Sequence, residues 1–114
     1  MPSGAALFTT AQTNAILRTP AAGNFFELIR VAIYCSNANT VNVGAEIGFG
    51  NLSIVADKSV TGHPGIAPGS GFVEIAPKGV RLGRGAVNEP LTFKCDVPTT
   101  GSVRVNYSYE EYPG

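Results

Sequence analysis

The chain has 114 residues, of which 44% are hydrophobic and 14% charged, and its eight basic and eight acidic side chains give a formal net charge of +0. This length suits one domain. The neutral balance argues against a nucleic-acid partner, because binding many phosphates requires a positive surface. No apolar run approaches the roughly 20 residues that span a bilayer, and the N-terminus lacks the pattern of a secretory signal, so we expect no association with a membrane.

The low charged fraction bears on how the surface is used. A typical soluble domain has about 25% charged residues, and a charge-poor surface indicates that a partner covers part of it. The alternative is that Ser, Thr and Asn side chains keep the surface wetted. The 14 glycines and 8 prolines stand between apolar runs, as expected of short strands joined by turns.

Residues 1–13 are small and polar apart from Leu7 and Phe8, so we expect a flexible N-terminal arm, followed by a single domain over residues 14–114. A short strand is predicted at "NAILRT" and ends at Pro20 and Gly23.

The next two runs alternate between apolar and polar positions and predict a hairpin over residues 25–49. In the first run Ile29, Val31, Ile33 and Cys35 share one face, and Leu28, Arg30, Ala32 and Tyr34 the other. "SNAN" is a turn cluster, because Asn and Ser side chains bond to nearby backbone. Val41, Val43, Ala45, Ile47 and Phe49 then point one way in the second run.

The middle of the chain is less regular. A short strand is predicted near residues 52–56, and the Gly- and Pro-rich "TGHPGIAPGSG" is predicted to be a surface loop. "FVEIAP" and "GVRLG" predict two short strands, and "RGAVNEP" a turn. The last predicted hairpin, over residues 91–110, has one apolar face made of Leu91, Phe93, Cys95, Val97, Val103, Val105, Tyr107 and Tyr109.

These runs predict an all-β protein of about eight strands, because no window has the i, i+3, i+4, i+7 spacing of a helix. Antiparallel strands with one apolar face each must bury that face against a second sheet. We therefore expect a two-sheet antiparallel β-sandwich of jelly-roll type, with the hairpins 25–49 and 91–110 supplying the middle strands.

The sequence offers no set of residues for catalysis. His63 has no second His or Cys nearby for a zinc site and no paired nucleophile, so it is predicted to be a solvated loop side chain. The acids are spread singly apart from Glu110 and Glu111. We expect no enzymatic activity, no cofactor and no metal.

The two cysteines, Cys35 and Cys95, both fall on predicted inward faces. In a secreted domain they would form a disulfide between the sheets. In a reducing compartment they would be buried thiols that pack as small apolar groups, and the missing secretory signal favours thiols.

Lys78, Arg81 and Arg84 form a basic group, and Glu110 and Glu111 an acidic end. One interpretation is that both are solubilising edges that deter pairing between sheets. The other is that the basic loop contacts the acidic tail of a neighbouring subunit, where rim charges set register more than affinity.

The run "NAILRTPAAGNFFELIRVAIYCSNANTVNV", with the later "GVRLGRGAVNEPLTFKCDVPTTGSVRVNYSYEE", resembles small all-β virion proteins of tailed bacteriophages, of the head decoration (cement) type. The resemblance implies a structural protein that is made in the host cytoplasm and lies on the capsid surface of the virion. It also implies a dimer or trimer that clamps the major capsid protein. We assign the interface as a hypothesis to the arm, the basic group and the acidic end, namely Leu7, Phe8, Lys78, Arg81, Arg84, Glu110, Glu111 and Tyr112.

The alternative is a carbohydrate- or receptor-binding β-sandwich module associated with a tail or fibre. Tyr34, Tyr109 and Tyr112 would stack on sugar rings in that case, although the chain has no Trp.

Overall fold

A computed structural model describes residues 2–50 and 59–114 of the chain. Every regular element in these ranges is a β-strand, and there are nine. Within the same ranges no helix is long and apolar enough to cross a membrane. The strands are β1 (Ser3–Phe8), β2 (Gln12–Arg18), β3 (Asn24–Cys35), β4 (Val43–Phe49), β5 (Ser59–Ile66), β6 (Gly71–Ile75), β7 (Gly83–Arg84), β8 (Leu91–Cys95) and β9 (Val103–Pro113).

The strands form two antiparallel sheets. Sheet I has the order β1-β9-β3-β6, with β7 beside β3, and sheet II has the order β2-β8-β4-β5. Without β7, the neighbours β1/β9, β2/β8, β3/β6 and β4/β5 are nested pairs, as in one long hairpin rolled up into two layers. This is the strand order of a jelly roll. The predicted two-sheet jelly-roll sandwich is confirmed. The strand predicted at "GVRLG" is present only as the two-residue β7 at Gly83–Arg84, whereas β1 and β5 are strands that the sequence did not predict.

The core lies between the two sheets, where side chains from alternate positions of both meet. Its members are mostly aliphatic and aromatic, as alternation predicted, but Val41 and Val97, which the sequence placed on apolar faces, are 51% and 58% exposed. The core residues are Phe26, Leu28, Val31, Ile33, Cys35, Val43, Ala45, Ile47, Phe49, Ile66, Leu91, Phe93, Cys95, Val103, Val105, Tyr107 and Tyr109.

The predicted hairpins 25–49 and 91–110 are wrong as pairings, although their strands do occupy the middle of the sheets. β3 and β4 belong to different sheets, and so do β8 and β9. Residues 36–42 and 96–102 therefore cross between layers that lie about 10 Å apart. Alternation determines which side of a strand is apolar. The pattern is the same whether the next strand pairs with this one in a hairpin or crosses to the other sheet.

Asn39 joins the two crossings to each other. Its Nδ2 donates to the carbonyl oxygens of Ser36 and Ser102, both at 3.1 Å, and its Oδ1 accepts from the amide of Gly101 at 3.0 Å. The side chain is 4% exposed. A buried amide with three backbone partners fixes the geometry of this end of the sandwich.

A β-bulge interrupts β3. The ladder with β9 shifts register between Leu28 and Arg30, so Ile29 is an extra residue on β3. The sequence placed Leu28 opposite in face to Val31, and this prediction is wrong, since both are fully buried. An extra residue shifts the alternation by one position. Even-numbered residues therefore face the core before the bulge, and odd-numbered residues face it after the bulge.

The N-terminal segment, predicted to be a flexible arm over residues 1–13, contains β1 in the structure. Ser3–Phe8 pair with β9 in continuous register. The ring of Phe8 stacks on Phe93 with centroids 5.3 Å apart, while Leu7 points outward and is 53% exposed. β9 would otherwise present an unpaired edge, which β1 covers.

The predicted loop over residues 61–71 is also wrong in part, because Thr61 to Ile66 belong to β5. Pro64 is tolerated there because β5 is at the edge of sheet II, where a missing ladder donor costs little. The ladder between β4 and β5 shifts register near this proline. The strand predicted near residues 52–56 lies outside the described residues.

Candidate interaction surface

The outer face of sheet I carries three rungs of side chains that point away from the core. The rungs are Ser3–Ser108–Arg30–Ile75, Ala5–Asn106–Ala32–Val73 and Leu7–Arg104–Tyr34–Gly71. Most of these side chains are small or polar, and the larger apolar ones lie at the two edges. Val73 and Ile75 on β6 are 54% and 62% exposed. The face is therefore a broad surface with an apolar margin.

A groove continues this face, and the β3 bulge is its cause. The bulge separates β6 from β7 along the same edge of β3, and residues 76–82 bridge the gap. The amide of Ala76 donates to Ile29 O at 2.9 Å, and the amide of Leu82 donates to Leu28 O at 2.7 Å. Gly79 has a φ of 80° in the intervening turn, a left-handed conformation that favours glycine.

The groove has a volume of about 440 Å³. It combines charged side chains from three elements with an apolar lining, and Pro77, Gly79 and Ala76 form part of its wall. The charged members are Glu27, Arg30, Lys78, Arg81 and Glu110, and the larger apolar or aromatic members are Ile29, Ile75, Val80 and Tyr112.

Glu27 organises the charges beside the groove. Its Oε2 accepts from Arg84 Nε at 3.0 Å and Arg84 Nη2 at 2.7 Å, and it lies 3.5 Å from Arg81 Nη1. The Glu27 side chain is 13% exposed, against 46% for Arg81 and 50% for Arg84. A carboxylate this sheltered requires cationic partners, and two arginines supply them.

An aromatic pair lies next to this ion cluster. The rings of Phe25 and Tyr112, on opposed positions of β3 and β9, have centroids 5.7 Å apart. The guanidinium carbon of Arg84 is 4.9 Å from the Phe25 ring centroid, in a cation–π contact. These contacts hold the Arg84 side chain flat against the sheet, in reach of Glu27.

Four of the eight predicted interface residues line the groove: Lys78, Arg81, Glu110 and Tyr112. Arg84 adjoins it through Glu27. The basic group and part of the acidic end thus meet within one chain, whereas the sequence suggested a contact between subunits. Leu7 lies on the same face at the far edge, opposite Arg104, and Phe8 packs against the core.

Glu111 has a different position from its neighbour Glu110. Its Oε2 accepts from Asn24 Nδ2 at 2.7 Å and from the amide of Ala21 at 2.9 Å. The hydrogen bond from Asn24, followed by that from Ala21, lowers the pKa of Glu111 from its ordinary value. This residue holds the β2–β3 connection to the C-terminal part of β9 and is structural.

Sequence reasoning missed Glu27, Arg30, Ile75 and Val80 as members of the groove. Arg30 and Glu27 were read as parts of a strand pattern. Glu27 reaches Arg81 and Arg84 through the pairing of β3 with β7, and Arg30 lines the same groove from β3. No local pattern reveals either placement.

The three tyrosines of the carbohydrate alternative do not form a platform. Tyr109 is 7% exposed and packs edge-on against Phe26 in the core. Tyr34 and Tyr112 are exposed on the outer face of sheet I, but they pair with Arg104 and Phe25, at opposite ends of β3. Nine positions along a strand correspond to roughly 30 Å, so these two rings cannot stack on one sugar.

A second depression, of about 180 Å³, lies on the outer face of sheet II and is lined by Glu46, His63, Lys94 and Asp96 among others. Gly62 makes room there, since a Cβ on it would lie 2.6 Å from the Cβ of Glu46. His63 Nδ1 accepts from the amide of Gly65 at 3.1 Å. In residues 2–50 and 59–114 no three His, Cys, Asp or Glu side chains are grouped as metal ligands.

Cys35 and Cys95 are both buried free thiols, as the sequence favoured. Cys35 Sγ accepts a hydrogen bond from Asn39 Nδ2 at 3.2 Å. Burial is the main cause that raises the pKa of the Cys95 thiol. Both residues belong to the core and take no part in the groove.

No protein family and no curated protein matches the sequence. Among solved structures, a chain of the acidic stable capsid of Helicobacter pylori bacteriophage KHP30 is similar, with a TM-score of 0.55 and 14% identity over 99% of this chain and 93% of that chain. A match to a chain of infectious bursal disease virus, Gx strain, spans 91% of this chain and 32% of the viral chain at 10% identity. Its TM-score of 0.33 is too low to indicate a shared fold. The likeness to the phage capsid chain concerns the fold, and it extends over nearly the whole of both chains.

Proposed function

We propose that the chain is a structural virion protein that binds the outer surface of a bacteriophage capsid and stabilises the shell, as a decoration (cement) protein. The observation that carries the proposal is the outer face of sheet I, which joins three rungs of small and polar side chains to an apolar margin and a charged groove. A surface of this kind suits adhesion to another protein.

The exposed apolar side chains support this role. Val73, Ile75 and Val80 are 54%, 62% and 53% exposed and lie on one strand and the turn that follows it. Clustered apolar side chains on a soluble protein mark sites that a partner covers. The low charged fraction of 14% agrees with a surface that is covered after assembly.

The similarity to a phage capsid chain adds support from outside the sequence. Because the match covers 99% of this chain and 93% of the other, the neighbour is a chain of about the same length. A small jelly roll therefore occurs in a phage capsid structure, as the proposal requires.

The mechanism is stabilisation by binding. A protein that binds the assembled shell and not its dissociated subunits stabilises the shell by about 2.7 kcal/mol per site when its concentration is one hundred times Kd. This contribution recurs at every site. In this role the chain binds the major capsid protein as a dimer or trimer. The role requires no catalysis and no cofactor.

The test is deletion of the gene followed by isolation of the particles. We expect that mass spectrometry finds the chain in normal particles. Particles that lack it should still assemble, but lose their contents at a lower temperature, and added recombinant chain should restore the original temperature.

Three results would overturn the proposal. Failure of any shell to form would indicate a shell-building subunit. Heads of normal thermal stability that no longer adsorb to cells would favour the tail or fibre module. Absence of the chain from normal particles would exclude a virion role.

A further inference from the structure

We infer that the outer face of sheet I, together with its groove, binds an acidic segment of the shell protein that also carries apolar side chains. The inference relies on the proposed function for the identity of the partner. The chemistry of the partner is argued from the charges and apolar groups of this face.

The face is positively charged although the chain is neutral. Among the described residues it carries five cations and two carboxylates, while the whole chain has a formal net charge of +0. The cations are Arg30, Lys78, Arg81, Arg84 and Arg104, and the carboxylates are Glu27 and Glu110. An excess of three positive charges on one side attracts a partner of opposite sign.

Internal pairing leaves part of this charge available. Glu27 engages Arg84 and, at a longer distance, Arg81. Arg30 and Lys78 line the groove and form no ion pair with any described residue. Arg30 and Lys78 are therefore available to pair with carboxylates supplied by a partner.

The apolar margin defines the rest of the partner. Ile75 and Val80 are more than half exposed, and both line the groove beside Tyr112. A volume of about 440 Å³ lies in the range of roughly 300–1,000 Å³ that is usual for binding pockets. The partner segment should therefore place an aliphatic side chain between its carboxylates.

Nucleic acid fits this face less well. Glu27 and Glu110 are opposed on neighbouring strands at the groove. A row of evenly spaced phosphates would pass close to both, whereas a polypeptide can place its carboxylates beside Arg30 and Lys78 alone. The exposed Val73 and Ile75 would also gain nothing from phosphates. An acidic polypeptide satisfies both the cations and the apolar margin.

The experiment measures binding of the full-length chain to purified particles from the deletion strain, by sedimentation and quantitation of the bound chain. The test variant is Arg30→Gln with Lys78→Gln. The matched control is Lys94→Gln, which removes a cation from the outer face of sheet II, and duplex DNA is a separate probe. Circular dichroism confirms that the variants are folded.

We expect the double variant to bind the particles about fivefold to tenfold more weakly, as for two exposed ion pairs, and the control to bind like the wild type. Added sodium chloride should reduce wild-type binding more than binding of the double variant. Equal binding of all three proteins would overturn the inference but leave the proposed function intact. No binding by the wild type would count against the proposed function itself, and tighter binding of the wild type to duplex DNA than to particles would assign the face to nucleic acid.

Discussion

Glu27 and Glu110 occupy directly opposed positions on β3 and β9, so two carboxylates stand side by side on the outer face of sheet I. Like charges in this relationship destabilise a sheet. Arg84 lies opposite Glu27 on its other side, at 2.7 Å. The arginine offsets the repulsion and places the groove charges in a fixed arrangement.

We predict that Arg84→Met lowers the free energy of unfolding by about 1 kcal/mol, a small value because the pair is partly exposed and screened by solvent. Adding Glu110→Gln should recover part of the loss, because one of the two opposed charges is then gone. Urea denaturation followed by circular dichroism measures each step. Arg104→Met, on the same face, is the control and should change stability by less than about 0.5 kcal/mol; equal losses in Arg84→Met and the control would contradict the prediction.

Asn39, like Thr99 and Thr100, joins the crossings 36–42 and 96–102. It bonds to three backbone groups and to Cys35 Sγ. We predict that Asn39→Ala lowers the free energy of unfolding by about 1 kcal/mol, because the amide of Gly101 loses its acceptor while the carbonyl oxygens of Ser36 and Ser102 keep backbone donors. The exposed Asn37→Ala is the control. A loss below about 0.5 kcal/mol in Asn39→Ala would show that water or the backbone replaces these bonds.

Substitutions of the two large side chains of β1 test whether this segment is a strand or a flexible arm. Phe8 packs against the core and stacks on Phe93, so Phe8→Ala should cost about 2 kcal/mol, less than for a fully buried phenylalanine. Leu7 is 53% exposed, so Leu7→Ala should lower the free energy of unfolding by less than about 0.5 kcal/mol. Amide hydrogen exchange gives an independent measurement, and exchange of residues 4–8 at the rate of an unfolded peptide would favour the flexible arm over the strand.

The cysteines provide a chemical test of the core. Both thiols are buried and therefore shielded from a reagent. Burial also raises the pKa of Cys95, so its reactive thiolate is scarce. We predict that iodoacetamide modifies neither cysteine in the folded protein and both in denaturant. Intact mass should be the same before and after reduction, and a gain of two hydrogens would instead indicate a disulfide.

The sequence predicted the fold class because alternation of apolar and polar residues is a local property that survives into the sheets. It did not predict which sheet each strand joins. The residues 36–42 look the same whether they turn back in a hairpin or cross to the other layer. The bulge at Ile29 was also hidden, because Leu28 and Ile29 are both apolar and either one fits an inward position.

The sequence did not predict the groove, but it did single out four of its residues as interface candidates. Lys78 and Arg81 are close in the sequence, so the basic group could be recognised there. The opposite charge of Glu110 could be recognised in the same way. Glu27 and Arg30 join them through the ladders of β3 with β7 and β9, which link residues more than fifty positions apart. Contacts of this range depend on register, and register depends on the bulge.

Glu111 contributes to the dependence of stability on acidic pH. Asn24 and Ala21 donate hydrogen bonds to it and lower its pKa in the folded state. Its contribution to stability is therefore complete above the ordinary value of 4.5 and is lost as the pH falls through the lower folded value. We predict that Glu111→Gln is less stable than the wild type at neutral pH and that the difference shrinks as the pH falls below about 4.5.

Asn24→Ala tests the cause of this pH dependence. Because Asn24 is the first donor to Glu111, its removal should destabilise the protein at neutral pH, and the effect should not add to that of Glu111→Gln. Urea denaturation of the two single variants and the double variant across the acid range measures the coupling. A coupling energy that stays constant from neutral to acidic pH would show that the charge of Glu111 is not involved, and the lowered pKa would then have no role in holding the β2–β3 connection to β9.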